Sequence, residues 1–114
     1  MQLDAKKFLY DIQQAAQLLK KFAERKTFDD YKNDALLRSA VERQFEIIGE
    51  ALSQLSKVDP KITARITDYQ RIIAFRNILI HGYAQVDDQV VWDVLQTNLP
   101  ILVSEVEKLL SEKQ

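Results

Sequence analysis

The chain has 114 residues, a net charge of −1, 46% apolar and 29% charged residues, and only two glycines and two prolines. These values are typical of one globular domain, which we expect to cover 1–114, and they argue against a sandwich or barrel, which needs many turns. No apolar run is long enough to cross a membrane, and the first residues carry acids, so we expect no membrane partner, no signal peptide and a cytoplasmic location.

The residue types that are missing also restrict the chemistry. Without cysteine the chain has no disulfide, thiolate nucleophile or cysteine zinc site. A single histidine argues against a zinc site within one chain. Carboxylates alone could still bind Mg²⁺, but no cluster of them calls for it, so we expect no metal and no cofactor. Dedicated nucleic-acid-binding proteins are usually basic, so any contact of this chain with RNA should be local and weak when non-specific.

Apolar residues at three- and four-residue steps predict four helices, the first over about 3–26. "TFDD" then breaks the pattern, with Asp29 or Asp30 as the expected N-cap, and a second helix follows over about 31–56. Gly49 lies inside this second helix, where glycine costs about 1 kcal/mol relative to alanine. We therefore expect another helix to cross closely at Gly49.

The third helix is predicted over about 61–80, with Pro60 able to start it at the first position. The fourth is predicted from Asp87 or Asp88 to about residue 111, with a kink at Pro100. Short connections between four amphipathic helices predict an all-α fold, an antiparallel up-and-down four-helix bundle.

One apolar segment holds the residues of greatest chemical interest. The stretch "FRNILIHGYAQV" contains the only histidine, His81, and Arg76 lies five residues before it. From Ile72 to Ile80 only Arg76 and Asn77 are polar, so this part of the third helix is apolar nearly all round. A second copy of the chain could cover its outer side, which would make the protein a homodimer, or the helix could be the central one of the bundle.

Arg76 and His81 together offer a specific chemistry. Histidine exchanges protons near neutral pH, and the arginine fork matches phosphate oxygens, so the pair could cleave a phosphodiester without metal. On a straight helix the two side chains would lie about 140° apart around the axis. For them to act together, the helix must end and turn near His81, or the pair must meet its equivalents from a second chain. Asn77 and Tyr83 could orient or hydrogen-bond. The residues alone leave open that His81 is only a helix cap or a surface residue.

The segment "RNILIHGY" resembles the signature of HEPN domains, with an arginine, a polar residue, then histidine and tyrosine at fixed spacing. The flanking segments "AVERQFEIIGEALSQLSK" and "YQRIIAFRNILIHGYAQVDDQVVWDVLQTNLPILVSEVEKLL" are similar to the HepT-type branch. The resemblance covers the second to fourth helices well and the first loosely.

This resemblance implies a metal-independent endoribonuclease toxin that acts on RNA as a homodimer with a shared cleft. It also implies a partner, a minimal nucleotidyltransferase (MNT) antitoxin, in a hetero-oligomer, that binds the toxin or adds AMP to it. By this resemblance Arg76 and His81 are catalytic, Asn77 assists, and Tyr83 is both a supporting residue and the AMPylation site. Glu46 and Glu50 face neighbouring helix turns and could support the cleft, but the motif gives neither of them a role.

Two other interpretations stay open at this point. The first is a non-catalytic HEPN domain that holds a nucleotide or nucleic acid for a nucleotidyltransferase, which the acidic composition mildly favours. The second is a structural helical dimer without chemistry, which leaves the arginine in an apolar segment unexplained.

Overall fold

All regular secondary structure is helical in the residues that the computed structural model describes, 1–82 and 86–112. This confirms the all-α prediction. The helices are α1 (Leu3–Ala23), α2 (Phe28–Lys32), α3 (Ala35–Val58), α4 (Pro60–Thr63), α5 (Tyr69–His81), α6 (Asp88–Asp93) and α7 (Leu99–Ser111), and a π-helical turn (Val94–Asn98) joins α6 to α7. Within these residues, none of the helices is both long enough and apolar enough to cross a bilayer.

The start of the predicted second helix differs from the expectation. Thr27, not Asp29 or Asp30, is the N-cap of the short helix α2. Its hydroxyl accepts a hydrogen bond from the Asp30 N–H at 3.2 Å, and the Asp30 carboxylate accepts one from the Thr27 N–H at 2.8 Å. Asp34 then caps α3 separately. The prediction was wrong because a reciprocal capping box moves the cap three residues earlier than the aspartate.

The predicted third helix is divided into α4 and α5. Pro60 occupies the first turn of α4, as expected, but the chain leaves the helix after Thr63, and Asp68 adopts a left-handed conformation with φ of 58°. The backbone N–H and hydroxyl of Thr67 both donate to the Glu105 carboxylate of α7, at 2.9 and 2.7 Å. This tertiary contact gives the Thr67 backbone N–H a partner outside any helix, and local sequence does not reveal it.

The predicted fourth helix begins where expected. Asp87 caps α6, since its carboxylate accepts from the Gln89 N–H at 2.9 Å. The irregularity that Pro100 was expected to cause is a π-helical turn directly before it, in which the Leu99 N–H bonds to the carbonyl of Val94, five residues back. Proline has no N–H to donate to the preceding turn, and wider turns of this kind accommodate such a lost bond.

Helix α3 lies at the centre of the contacts between helices. It packs against α1 on one side and α5 on another, while α1 also packs against α7, and α2 contacts α3 and α6. Aromatic pairs join these elements: the ring centroids of Tyr31 and Trp92 lie 5.5 Å apart, and those of Phe45 and Phe75 lie 5.3 Å apart, edge to face. Because α3 holds the central position, α5 is not the central helix that one interpretation allowed.

Helix α5 has two different faces. Ile72, Phe75 and Leu79 are buried against the core. On the opposite side, Ala74, Asn77, Ile78 and His81 follow the three- and four-residue steps of one helical stripe, and all four are exposed. We call this stripe the outer face of α5. Its central isoleucine, Ile78, is 51% exposed, so the structure leaves an apolar side chain uncovered at the middle of the motif.

Candidate functional site

Gly49 of α3 permits the close approach of α5 at Arg76. A Cβ atom built on Gly49 would lie 2.2 Å from the Arg76 Cβ and 2.7 Å from its Cγ, far inside van der Waals contact. Only a residue without a side chain fits there. The close helix crossing expected at Gly49 is therefore confirmed, and the residue that crosses it is the arginine of the motif.

The Arg76 guanidinium is held by two neighbours. Its Nη2 lies 2.9 Å from the Glu50 Oε2 on α3, and its Nη1 donates to the Asn77 Oδ1 at 2.8 Å. The amide of Gln54, one turn along α3, donates to the other carboxylate oxygen of Glu50 at 3.1 Å. The buried Nε of Arg76 has no hydrogen-bond partner among the residues that the structure describes. Gln54, Glu50, Arg76 and Asn77 thus form one chain of polar contacts.

Arg76 lines an open cleft of about 380 Å³ between α1, α3 and α5. Two further cations line it, Lys7 and Arg43, and each has an acidic neighbour in the same cleft. The Lys7 Nζ lies 4.0 Å from an Asp11 carboxylate oxygen, and the Arg43 Nη1 lies 3.4 Å from the Glu46 Oε1. The cleft therefore presents paired charges rather than a continuous basic surface, which agrees with weak non-specific attraction for RNA.

His81 is the last residue of α5, and its side chain is exposed. Gly82 follows as the C-cap, with its N–H bonded to the Ile78 carbonyl at 2.8 Å. His81 does not line the cleft that holds Arg76, and no hydrogen bond between the two is present in the described part of the chain. Both belong to one regular helix, so they lie about 140° apart around its axis.

Asn77 lies between these two motif residues. Its side-chain oxygen contacts Arg76, and its place on the outer face of α5 puts it one helical turn from His81. The structure thus brings Arg76 and Asn77 together and leaves His81 apart from Arg76 within one chain. The expectation for Tyr83 concerns a residue outside the described ranges.

Glu50 and Gln54 are the polar partners that the motif did not identify. They are four residues apart on α3, and this spacing places them on one side of the helix, next to Gly49. The signal available in the sequence was this combination of an interior glycine and an adjacent acid. It could not identify Arg76 as the partner, because that requires the crossing of α3 and α5.

Two further features help to define the site. Among residues 1–82 and 86–112, no group of three or more histidine, aspartate or glutamate side chains is placed to hold a metal ion. A larger surface cavity, about 530 Å³, lies between the end of α1 and the π-helical turn, and none of the motif residues lines it. The motif chemistry is therefore associated with the smaller cleft.

Comparisons with known proteins give a consistent result. Residues 12–109 match the family model described as "Ribonuclease HepT-like". The chain is 33% identical over 104 residues to a "Putative RNase" of Methanocaldococcus jannaschii, covering 91% of this chain and 94% of that protein. It is 32% identical over 109 residues to a "Probable ribonuclease HepT" of Thermococcus cleftensis, covering 96% and 98% of the two chains.

A third relative, a "Putative RNase" of Caldanaerobacter subterraneus subsp. tengcongensis, is 30% identical over 88 residues, 77% of this chain and 78% of that protein. No solved structure matches the chain significantly. The family match covers most of the chain and includes α5 with Arg76 and His81. The chain therefore belongs to the HepT-like ribonuclease family.

Proposed function

We propose that this protein is a metal-independent endoribonuclease in which Arg76 and His81 act on the same phosphodiester. The observation that carries the proposal is the Arg76 guanidinium, fixed by Glu50 and Asn77 at an open cleft, in a chain of a ribonuclease family. A fixed arginine fork beside a cleft is suited to bind phosphate oxygens. The accessible imidazole of His81 is suited to move protons near neutral pH.

The reaction follows from these two groups. The 2′-hydroxyl of RNA loses its proton and attacks the adjacent phosphorus. The bond from phosphorus to the 5′-oxygen breaks, and that oxygen gains a proton. His81 exchanges these protons with the reacting oxygens. Arg76 stabilises the negative charge that grows on the phosphoryl oxygens. The products are a 2′,3′-cyclic phosphate and a free 5′-hydroxyl, and no step needs a metal ion.

A second copy of the chain completes the site in this proposal. Arg76 faces the cleft beside α3, whereas His81 lies on the outer face of α5, so one chain does not bring them together. A two-fold axis beside the outer face would cover Ile78 and bring Asn77 and His81 of both copies together, with each Arg76 held next to its Asn77. We therefore propose a homodimer of up-and-down four-helix bundles.

The same proposal includes a biological role as the toxin of a toxin–antitoxin pair. The support is the family match and a relative named as a ribonuclease HepT. The partner would be a minimal nucleotidyltransferase antitoxin that neutralises the toxin by binding, by adding AMP to Tyr83, or by both. The role of Tyr83 depends on its position in the motif, two residues after His81.

A second candidate function is binding without cleavage, as a nucleotide- or nucleic-acid-holding partner of a nucleotidyltransferase. The separation of His81 from Arg76 within one chain favours it, because the fixed guanidinium could hold a phosphate with no proton-transfer group beside it. An RNA cleavage assay distinguishes the two candidate functions, because only the ribonuclease should produce cut RNA.

The experiment uses purified protein, end-labelled RNA and excess EDTA. The wild type should cut the RNA and leave cyclic phosphate ends, and His81→Ala should lose at least about 100-fold in rate, within the contribution of a general acid–base group. Gln17→Ala, at an exposed position of α1, serves as control. If the wild type binds RNA but does not cut it, or His81→Ala cuts as fast, the catalytic proposal is wrong.

A further inference from the structure

The contact between Glu50 and Arg76 has features that an ordinary surface ion pair lacks. The side chains are 26% (Arg76) and 49% (Glu50) exposed, so the pair itself adds little to stability. Yet both partners are fixed by other groups. The stem of Arg76 lies against Gly49, and the second oxygen of Glu50 accepts from Gln54. The arrangement is ordered at both ends although its stabilising effect is small.

We propose that Glu50 is a positioning residue that orients the Arg76 guanidinium toward the scissile phosphate. This inference rests on the proposed ribonuclease function and adds a residue outside the motif to it. Gly49 fixes the first two carbons of the Arg76 side chain, and Glu50 with Asn77 fixes its planar end. A planar group held at both Nη atoms has a defined orientation as well as a defined position.

The Arg76 guanidinium has more N–H donors than its protein neighbours use, so it can also bind a substrate. A guanidinium carries five N–H groups, one on Nε and two on each Nη. Asn77 accepts a hydrogen bond from Nη1, the Glu50 carboxylate lies 2.9 Å from Nη2, and the Nε is buried without a described partner. Among the described residues, at least one N–H on each Nη atom is therefore left for a substrate. Two free N–H groups are what a bidentate contact with phosphate oxygens requires.

The position of Glu50 also suggests the opposite effect, in which its charge repels RNA phosphates and competes for Arg76. The Gln54 contact argues against this, because it holds the other oxygen of Glu50 on α3, so that the carboxylate contacts Arg76 from a fixed position. The two effects give opposite results when Glu50 is changed, so one set of variants separates them.

The test measures kcat and KM for RNA cleavage by Glu50→Ala and Glu50→Gln. Loss of orientation should lower kcat by about 10- to 100-fold, the range for a displaced catalytic group, and change KM less than threefold. Glu50→Gln should recover part of the loss, because its amide oxygen still accepts from Arg76. The control is Glu112→Ala, which breaks an arginine–glutamate pair of similar exposure, with Arg65, far along the chain from the motif.

Three results would overturn the inference while leaving the ribonuclease proposal intact. The first is a Glu50→Ala enzyme that cuts at the wild-type rate. The second is one that cuts faster or binds RNA more tightly, which indicates competition. The third is an equal loss in Glu112→Ala. Circular dichroism melts check folding, and Glu50→Gln provides the decisive rate if Glu50→Ala is unfolded. A wild type that does not cut, or an active His81→Ala, would instead contradict the proposed function itself.

Discussion

Gly49 leaves the space that the Cβ and Cγ atoms of Arg76 occupy, so the glycine of α3 and the arginine of α5 form one packing unit. The atoms in the way are next to the α5 backbone, not at the end of a flexible side chain. An added methyl group at Gly49 must therefore separate the two helices, and any change in this contact should alter both stability and the orientation of Arg76.

Gly49→Ala should lower the free energy of unfolding by about 1–3 kcal/mol, the usual cost of overpacking, despite the better helix propensity of alanine. Urea unfolding measures the change. Arg76→Gly in the same chain removes the opposing Cβ, so the double variant should show a smaller effect of Gly49→Ala than the wild type does. If the two substitutions had additive effects on stability, the contact between residue 49 and Arg76 would not be the cause of the loss in Gly49→Ala. The difference in stability between Ser39→Gly and Ser39→Ala, at an exposed position of α3, measures the glycine-to-alanine propensity alone.

Ile78→Lys should dissociate the proposed dimer. Ile78 is 51% exposed on the outer face of α5, so a lysine there leaves the single chain folded but buries a charge in an interface that covers this face. Analytical ultracentrifugation at micromolar concentration should change from the dimer mass to the monomer mass, with loss of RNA cleavage. Leu36→Lys, at an 80% exposed position of α3, is the matched control. A fully active monomer would contradict the shared site.

Arg76→Lys should reduce the rate of RNA cleavage at least tenfold although the charge is kept. A lysine ammonium is a compact charge without the planar fork, so it cannot engage Glu50, Asn77 and two phosphate oxygens together. The thermal midpoint should change little, because the ion pair is partly exposed. Arg65→Lys makes the same exchange in the pair with Glu112 and should leave cleavage unchanged. Wild-type activity in Arg76→Lys would exclude bidentate phosphate binding.

Glu42→Gln should stabilise the protein at neutral pH. Burial raises the pKa of Glu42, and the charges of Asp88 and Glu46 raise it further. The folded state then binds this proton more tightly than the unfolded state, so stability falls as pH rises from the unfolded pKa to the raised folded pKa. Glutamine stays neutral, so the urea midpoint should rise at pH 7, and the difference should disappear below about pH 4.

The control for this prediction is Glu107→Gln, which changes an exposed glutamate on α7. It should leave the urea midpoint nearly unchanged at both pH values, as is usual for surface substitutions. A Glu42→Gln variant with the same midpoint as the wild type at pH 7 would show that the charge of Glu42 does not oppose folding.

Tyr83→Phe should prevent covalent neutralisation while RNA cleavage continues. The substitution removes the hydroxyl that would accept AMP and little else. Intact-mass spectrometry after incubation with the nucleotidyltransferase, ATP and Mg²⁺ should show one added AMP on the wild type and none on the variant. Tyr10→Phe, at a 49% exposed tyrosine of α1, is the control and should still be labelled. Equal labelling of Tyr83→Phe would move the modification site to another residue.

Local signals predicted much of the fold. Apolar periodicity located α1, α3 and most of α5, because each helix buries one stripe against its neighbours. Asp87 correctly indicated the start of α6, and Gly49 correctly indicated a close helix crossing. The break between α4 and α5 was not predictable in the same way. There the N–H and hydroxyl of Thr67 donate to the carboxylate of Glu105, a residue 38 positions further along the chain.

The residues of the candidate site were also only partly predictable from local sequence. Arg76 and His81 could be identified from their types and spacing in an apolar segment. Glu50 could not be assigned, because its importance depends on which residue α5 places opposite it. The separation of Arg76 from His81 within one chain was predicted from helix geometry, since a step of five residues places two side chains about 140° apart around the helix axis.

The π-helical turn at Val94–Asn98 also limits which changes in chain length the protein can accept. Each residue added to or removed from a helix rotates everything after it by about 100°. A π-helical turn holds one residue more than the α-helical turn that it replaces, so deleting one residue here would restore regular α-helix and keep the buried stripe of α7, Leu102, Val106 and Leu109, against the core. Among relatives, a difference of one residue should therefore be accepted at this turn, whereas other insertions and deletions should accumulate in connections such as 24–27.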